Sequence, residues 1–168
     1  MLTRYLPIIA FVYATFVAVS FSYAGSSVIS IDDIRKELRP YGLHQIEFTS
    51  TEYYVPSYRW TYREFMPFYK DYLRTSRARY QDEGVDCDNF CIFFQSALFQ
   101  RKVQLGHEYA GNSAAGIMYC DVGPRQSIRH VIIIIRTDKG WFAVEAENGK
   151  VMTLKKYLRF NKPIRAIF

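Results

Sequence analysis

The chain has 168 residues, a formal net charge of +6 and an aromatic content of 17%, enough to build one well-packed core and too short for two. Its 22 Lys and Arg are scattered among aromatics with no basic run. That pattern argues against nucleic acid as a partner and suits an anionic envelope or surface.

The first residues read as an export signal. Arg4 supplies one positive charge, Leu6 to Phe21 is an almost uncharged apolar run, and Ser22-Tyr23-Ala24 is a small-x-small cleavage site before Gly25. Residues 1–24 are expected to be removed, leaving 25–168 as a single domain in the periplasm or outside the cell. The alternative is an uncleaved anchor, since the run is nearly long enough to cross a bilayer. Removing 24 of 168 residues leaves 144, and losing Arg4 lowers the net charge from +6 to +5.

In the mature chain, Ser30 with Asp33 predicts an N-cap, and Ile31, Ile34 and Leu38 give a short helix ended by Pro40-Tyr41-Gly42. A brief strand is expected over Gln45 to Ser50, with His44 a surface residue in the turn before it. Thr61 and Glu64 predict a second capping box. Tyr62, Phe65, Tyr69, Tyr72 and Leu73 follow at helical spacing, and Pro67 is expected to kink this helix or mark its start. Such a stripe can line a groove, but core is the favoured reading. Arg74 to Arg79 is a basic, solvated connection.

Next comes Val85-Asp86-Cys87-Asp88-Asn89-Phe90-Cys91. Phe90, Phe93, Phe94, Ala97 and Leu98 recur at helical spacing, so a buried helix runs from Cys87 to about Gln104, stopped by Gly106. Asp86 and Asp88 sit where capping is favoured. A thiol at that position meets unpaired N–H groups and the positive end of the helix dipole, which favour thiolate. A small-residue loop spans Gly111 to Gly116, with His107 before it as a surface residue. Ile117 to Val122 is a strand closed by Gly123-Pro124. His130 to Arg136 is β-branched on both faces and predicts a strand in the middle of a covered sheet. A turn at Thr137–Gly140 returns the chain as Trp141 to Glu147, and Asn148-Gly149 makes the next turn. Val151 to Leu154 and Pro163 to Phe168 complete the strands. The class is α+β: N-terminal helices, including a buried cysteine helix, packed on an antiparallel sheet.

The three cysteines are an odd number for an oxidising destination. Cys87 and Cys91 lie one helical turn apart, poorly placed for a bridge, so the expected disulfide is Cys91–Cys120 with Cys87 free; the alternative is three reduced thiols. Cys87, Cys91, Cys120 and His130 would also make a three-cysteine, one-histidine zinc set. The helical spacing and the oxidising compartment disfavour it, and no metal is expected.

A nucleophilic Cys87 needs a base, and His130 at the head of the central strand is the candidate. The base needs an orienting carboxylate, and Glu145 and Glu147 share one face of the neighbouring strand. Counting through a turn closed at Gly140 sets Glu147 nearly opposite His130, with Glu145 one diagonal step away. The Cys87 N–H and the Gln81 side chain are candidate oxyanion donors, with Tyr80 an alternative to Gln81.

The acidic-Cys-acidic helix start, the strand headed by His130 and the segment Trp141-x-x-x-Glu145 together resemble the papain-like peptidase domain at the C-terminus of the Marasmius oreades agglutinin and its bacterial and phage relatives. The resemblance covers roughly Tyr53 to Phe168. Asp86-Cys87-Asp88-Asn89-Phe90-Cys91 stands where those relatives carry a DCDDFA-like motif, and Val144-Glu145-Ala146-Glu147 where they carry an IEPQ-like segment. Departures are Cys91 in place of alanine, no proline after Glu145, and no lectin domain. The resemblance implies a papain-like fold with Cys87 as nucleophile, His130 as base and Glu145, rather than Glu147, as orienting acid. The residues themselves require no cofactor; that peptidase depends on calcium, so calcium enters by resemblance with no ligands assigned. Val85-Asp86-Cys87 is also similar to the start of NlpC-type cell-wall peptidases, although the Ser-Gly expected after the cysteine is absent. The expectation is an exported thiol peptidase or amidase acting on a peptide or peptidoglycan-type substrate. It has no nucleic-acid partner and meets a membrane only through an uncleaved signal. An amine-accepting transferase would use the same residues. A catalytically silent envelope-binding protein, working through its aromatic-rich first half, is the rival from another class.

Overall fold

The computed structural model describes residues 27–76, 86–106, 113–123 and 128–168. The segment 1–24, most of the basic connection, Tyr80, Gln81 and His107 lie outside them. Two sheets are present among the described residues. A small antiparallel ribbon joins β1 (Ser27–Ser30) to β3 (Glu52–Val55). The main sheet has six strands in the order β2-β8-β4-β5-β6-β7: β2 (Gln45–Glu47), β8 (Lys162–Ile167), β4 (Ala115–Val122), β5 (Ile128–Thr137), β6 (Gly140–Glu145) and β7 (Lys150–Thr153).

The all-antiparallel sheet expected from the hairpins is corrected to a mixed one, because β2 runs parallel to β8. Parallel neighbours need a long crossover, and here most of the chain lies between the two strands. β8 is an interior strand, between β2 and β4. The α+β class holds.

β5 occupies the centre for the reason its composition gives. Ile132, Ile133, Ile134 and Ile135 are all fully buried, so both faces of the strand need cover. Val131, Ile133 and Ile135 belong to a core shared with the helices α2 (Met66–Ser76) and α3 (Cys87–Gln104). Ile132 and Ile134 belong to the opposite core, with Ile34 and Leu38 of α1 (Ile31–Leu38), and with Leu154 and Tyr157 of the short α4 (Leu154–Tyr157). α4 takes Leu154, which the sequence pattern assigns to a strand.

The helix carrying the aromatic stripe starts earlier than Thr61. Ser57 is the N-cap and accepts from the Trp60 N–H. The turn Tyr58–Trp60 runs into a π-helical stretch, Thr61–Phe65, and then into α2. That widened stretch ends just before Pro67, whose ring would clash with the carbonyl four residues back in a regular α-helix. Phe65 and Tyr69 are fully buried and Trp60 nearly so; Tyr62 alone of the stripe is exposed. The stripe is core, not groove.

At the far end of the β5–β6 hairpin Gly140 takes a left-handed φ of 109° to close the turn. Next to it Glu37 of α1 accepts from Arg136 Nε at 2.6 Å, Arg136 Nη2 at 3.1 Å and Trp141 Nε1 at 2.7 Å, fixing α1 to the sheet.

Candidate active site

Cys87 opens α3 because Asp86 caps it. The Asp86 carboxylate accepts from the N–H groups of Asp88 and Asn89 at 3.2 and 3.3 Å, and the Asp86 carbonyl takes the Phe90 N–H. Among the described residues no acceptor meets the Cys87 N–H. Phe90, Cys91, Phe94, Ala97 and Leu98 bury the inner face of the helix and hold its first turn against β5.

The first turn of α3 packs against the core that includes Val131, where the sheet is interrupted. β5 and β6 pair from Thr137↔Gly140 to Ile133↔Val144, and no further. The Arg136 N–H points to β4, bonding Ala114 O, so odd-numbered N–H groups of β5 point to β6. The next rung would be Val131 N–H to Ala146 O. It is not made. Ala146 O instead accepts from the Tyr69 hydroxyl at 2.6 Å. The chain leaves the ladder after Glu145, turning over 146–149 with Gly149 N–H on Glu145 O at 2.7 Å.

This opening lies between two side chains that do touch. His130 Nε2 and Glu145 Oε2 are 2.9 Å apart, with side chains 28% and 23% exposed. By alternation His130 and Glu145 belong to the face of Cys120 and Tyr157, whereas Cys87 comes from the face of α3. Among the described residues no hydrogen bond or ion pair joins Cys87 to His130 or Glu145; the sulfur's hydrogen-bond partner is Asp88 Oδ1 at 3.7 Å. With Nε2 engaged by Glu145, Nδ1 of His130 has no partner among the described residues.

Of the two glutamates, Glu145 is the one in contact with His130. The hairpin count is right in register, since Ile133↔Val144 continued by three residues does put His130 opposite Glu147. The ladder ends first, and Glu147 is carried onto the turn and exposed. Glu145, the diagonal neighbour, is the one in contact.

Two further expectations are corrected. Cys91 and Cys120 form no disulfide, and all three cysteines are free thiols. Cys91 is buried in the core under α3 and Cys120 in the core on the other side of the sheet, so the sheet separates them. Cys120 Sγ lies 3.4 Å from the Tyr157 hydroxyl and 3.6 Å from His130 O, held by the strand that carries the imidazole. The thiolate-favouring environment expected for Cys87 is also reversed in sign. Burial pushes the thiol up, the Val131 N–H pulls it down, and the carboxylates of Asp88 and Asp86 raise it further. Gln81, expected as an oxyanion donor, lies outside the described residues. Among the described residues no three His, Cys, Asp or Glu side chains converge on a metal position.

The residue that sequence reasoning missed is Tyr69. Its spacing assigns it correctly to the core, but only the fold reveals its hydroxyl between Ala146 O and Phe90 O, the latter at 3.3 Å.

No family model and no curated protein matches the sequence. Solved structures do match in fold. One is the Polyporus squamosus lectin bound to the human-type influenza-binding epitope Neu5Acα2-6Galβ1-4GlcNAc, with a TM-score of 0.65 and 14% identity over 84% of this chain and 49% of that one. Another is described as a PSL1a–E64 complex, with a TM-score of 0.63 and 16% identity over 84% of this chain and 50% of that one. The chain spans about half the length of these structures, and identities this low speak for the fold alone.

Proposed function

We propose that this chain is a papain-like thiol hydrolase, exported from the cell, which cuts a peptide or isopeptide amide with Cys87, His130 and Glu145. The observation that carries the reading is the 2.9 Å contact between His130 Nε2 and Glu145, with Cys87 packed against the core that includes Val131 of the same strand. A half-buried thiol flanked by two aspartates does not ionise readily, so the reaction needs a proton acceptor. In this reading Nδ1 of His130 takes the thiol proton as Sγ attacks the amide carbonyl, and Glu145 stabilises the imidazolium through Nε2–H. The carbonyl oxygen becomes an oxyanion beside the Cys87 N–H, with Gln81 the further candidate donor. Collapse expels the amine, which leaves with the proton from Nδ1, and gives a thioester on Cys87. Water, deprotonated by His130, then releases the acid and the thiol. An amine in place of water would give a transferase from the same residues. The positive charge suits a peptidoglycan-type substrate, the NlpC-like variant of the same reading, and calcium enters only through the family resemblance.

A silent binding protein on the same scaffold is the second reading, and the upward push on the Cys87 thiol is what favours it. Alkylation separates the two. Iodoacetamide at neutral pH, read by peptide mass spectrometry, is expected to label Cys87 well ahead of Cys91 and Cys120, and His130→Ala is expected to slow that labelling. E64, the compound named with one of the similar structures, is the second probe, with a covalent mass gain on Cys87 expected. Equally slow labelling of all three cysteines would sink the hydrolase.

A further inference from the structure

We propose that the trough between α3 and the uncovered half of the main sheet is a subsite for an extended polypeptide, seating a large apolar side chain about four residues from the bond cut at Cys87. This rests on the reading of Cys87 as nucleophile and deepens it.

On the side of the sheet that faces α3, the helical cover thins at β4. Val131 and Ile133 of β5 are buried there. Their ladder partners on β4, Tyr119 and Ile117, pack against the same core but stay half-buried. One strand further out Arg165 is exposed and Ile167 half-buried, and on β2 both Gln45 and Glu47 are exposed. Directly paired residues share a face, so these side chains form the floor of a trough.

The wall is α3. Gln95 Nε2 donates to Ala115 O at 3.3 Å, which identifies the flank of the helix turned to β4. Helical spacing sets Asp88, Ile92 and Phe99 on that flank. Ile92 is 53% and Phe99 50% exposed, whereas Phe94 and Ala97 of the same helix are fully buried. A cavity of about 250 Å³ occupies the corner where Gln95, Leu98 and Phe99 meet Ile117 and Ile167. A site that encloses a whole small ligand measures roughly 300–1,000 Å³, so this one fits a single side chain of a longer ligand.

The trough leads to the nucleophile. Asp88, its first wall residue, is the hydrogen-bond partner of the Cys87 sulfur. From Cys87 to Gln95 the helix rises about 12 Å, and the floor from Tyr119 to Ala115 is about 13 Å long. An extended peptide covers that distance in about four residues. Gln95 has its amide oxygen left for a peptide N–H, since only its Nε2 is engaged among the described residues. Arg165 lies 4.5 Å over the Tyr119 ring and 3.8 Å from Glu47, so the charges at the rim already have partners. Selection therefore falls to apolar burial between Ile92, Phe99, Ile117 and Ile167. A peptidoglycan-type stem, which offers no large apolar side chain, leaves the cavity empty.

The test is a ruler anchored on the thiol of the full chain. Ser-Gly peptides carry an iodoacetyl group at one end or the other and a single Phe at increasing distance from it. For one of the two ends, alkylation of Cys87 is expected to peak with Phe about three to five residues away, about tenfold above the peptide without Phe. Phe99→Asp, at an exposed position, is expected to abolish the peak and leave the rate with iodoacetamide itself unchanged. A rate indifferent to the position of Phe, or a peak that survives Phe99→Asp, overturns the proposal. Where the thiol reacts too slowly to read, NMR of Cys87→Ala with the same peptides lacking the iodoacetyl group decides. The Ile117 and Ile167 methyl signals are expected to move with the Phe peptides and not with the Ser-Gly peptide, and methyls that stay in place overturn it. A peak in a protein that cleaves no peptide keeps the trough and removes the hydrolase. Cleavage without apolar preference at that distance, or of peptidoglycan stems alone, keeps the hydrolase and removes the trough.

Discussion

The two ends of the β5–β6 hairpin are built to opposite rules. At the Gly140 end every rung is made and a buttress is added: Glu37 holds Arg136 and Trp141 at once, and Arg136 Nη1 also donates to Thr137 O. At the Val131 end a rung is withheld, and the Ala146 carbonyl it would use is turned to the Tyr69 phenol. The closed end spends its hydrogen bonds on one geometry of the fold. The open end turns its carbonyl to a neighbouring helix, beside the His130–Glu145 pair.

If that division holds, substitutions at the two ends affect different measurements. The largest effect is expected at the open end: Glu145→Ala leaves His130 without its partner, and the rate of amide hydrolysis is expected to fall about 10²-fold with the fold intact. Glu147→Ala, two residues on and exposed, is the matched control, with activity and stability unchanged. Equal losses from both would mean that the register, not only the contact, has been misread.

At the closed end, Glu37→Ala strips Arg136 and Trp141 of their shared acceptor. Urea unfolding is expected to report a loss of about 2 kcal/mol, the usual scale for hydrogen bonds to a charged group, with Cys87 alkylation unchanged. A change in alkylation of more than twofold would show that the two ends are mechanically coupled.

The smallest effect is a pH dependence. Burial pushes the Cys120 thiol up to about 11, so between pH 9 and 11 the unfolded chain has lost a proton that the folded chain keeps. This contribution to stability is present below pH 9 and is lost as pH rises towards 11. Lys102, buried with its ammonium 2.9 Å from Ser113 Oγ and pushed down to about 8, acts in the opposite sense. The clean measurement is the difference in melting temperature between wild type and Cys120→Ala, which is expected to shift in favour of the variant from pH 9 to 11. A difference that stays constant over that range would show that Cys120 titrates normally.

Much of this molecule can be read from local pattern. The isoleucines of β5 announce a strand covered on both sides, Asp86 announces the start of α3, and even the hairpin register follows from Gly140. Where the pattern stops helping is where one residue must choose between partners far away in the chain. No periodicity tells where a ladder ends, so Glu147 and Glu145 are indistinguishable until the turn at 146–149 is seen. The Cys91–Cys120 expectation fails because it considers spacing within the helix and ignores which face of β4 carries Cys120. The parallel pairing of β2 with β8 is invisible for the same reason, as each strand is ordinary and only their meeting is informative.

The π-helical stretch before Pro67 has a consequence in terms of insertions and deletions. At about 100° per residue, nine residues of regular α-helix would set Trp60 and Tyr69 on opposite sides of the axis. The widened turn absorbs one residue, and both side chains instead face the same core, with Phe65 stacked between them at 5.6 and 6.1 Å. Residues 61–65 therefore count as one turn plus one extra residue. Deleting any single residue there would restore a regular helix and force a choice between burying Trp60 and presenting Tyr69. Through the Tyr69 hydroxyl on Ala146 O, the length of that stretch is thus registered where β6 leaves the sheet.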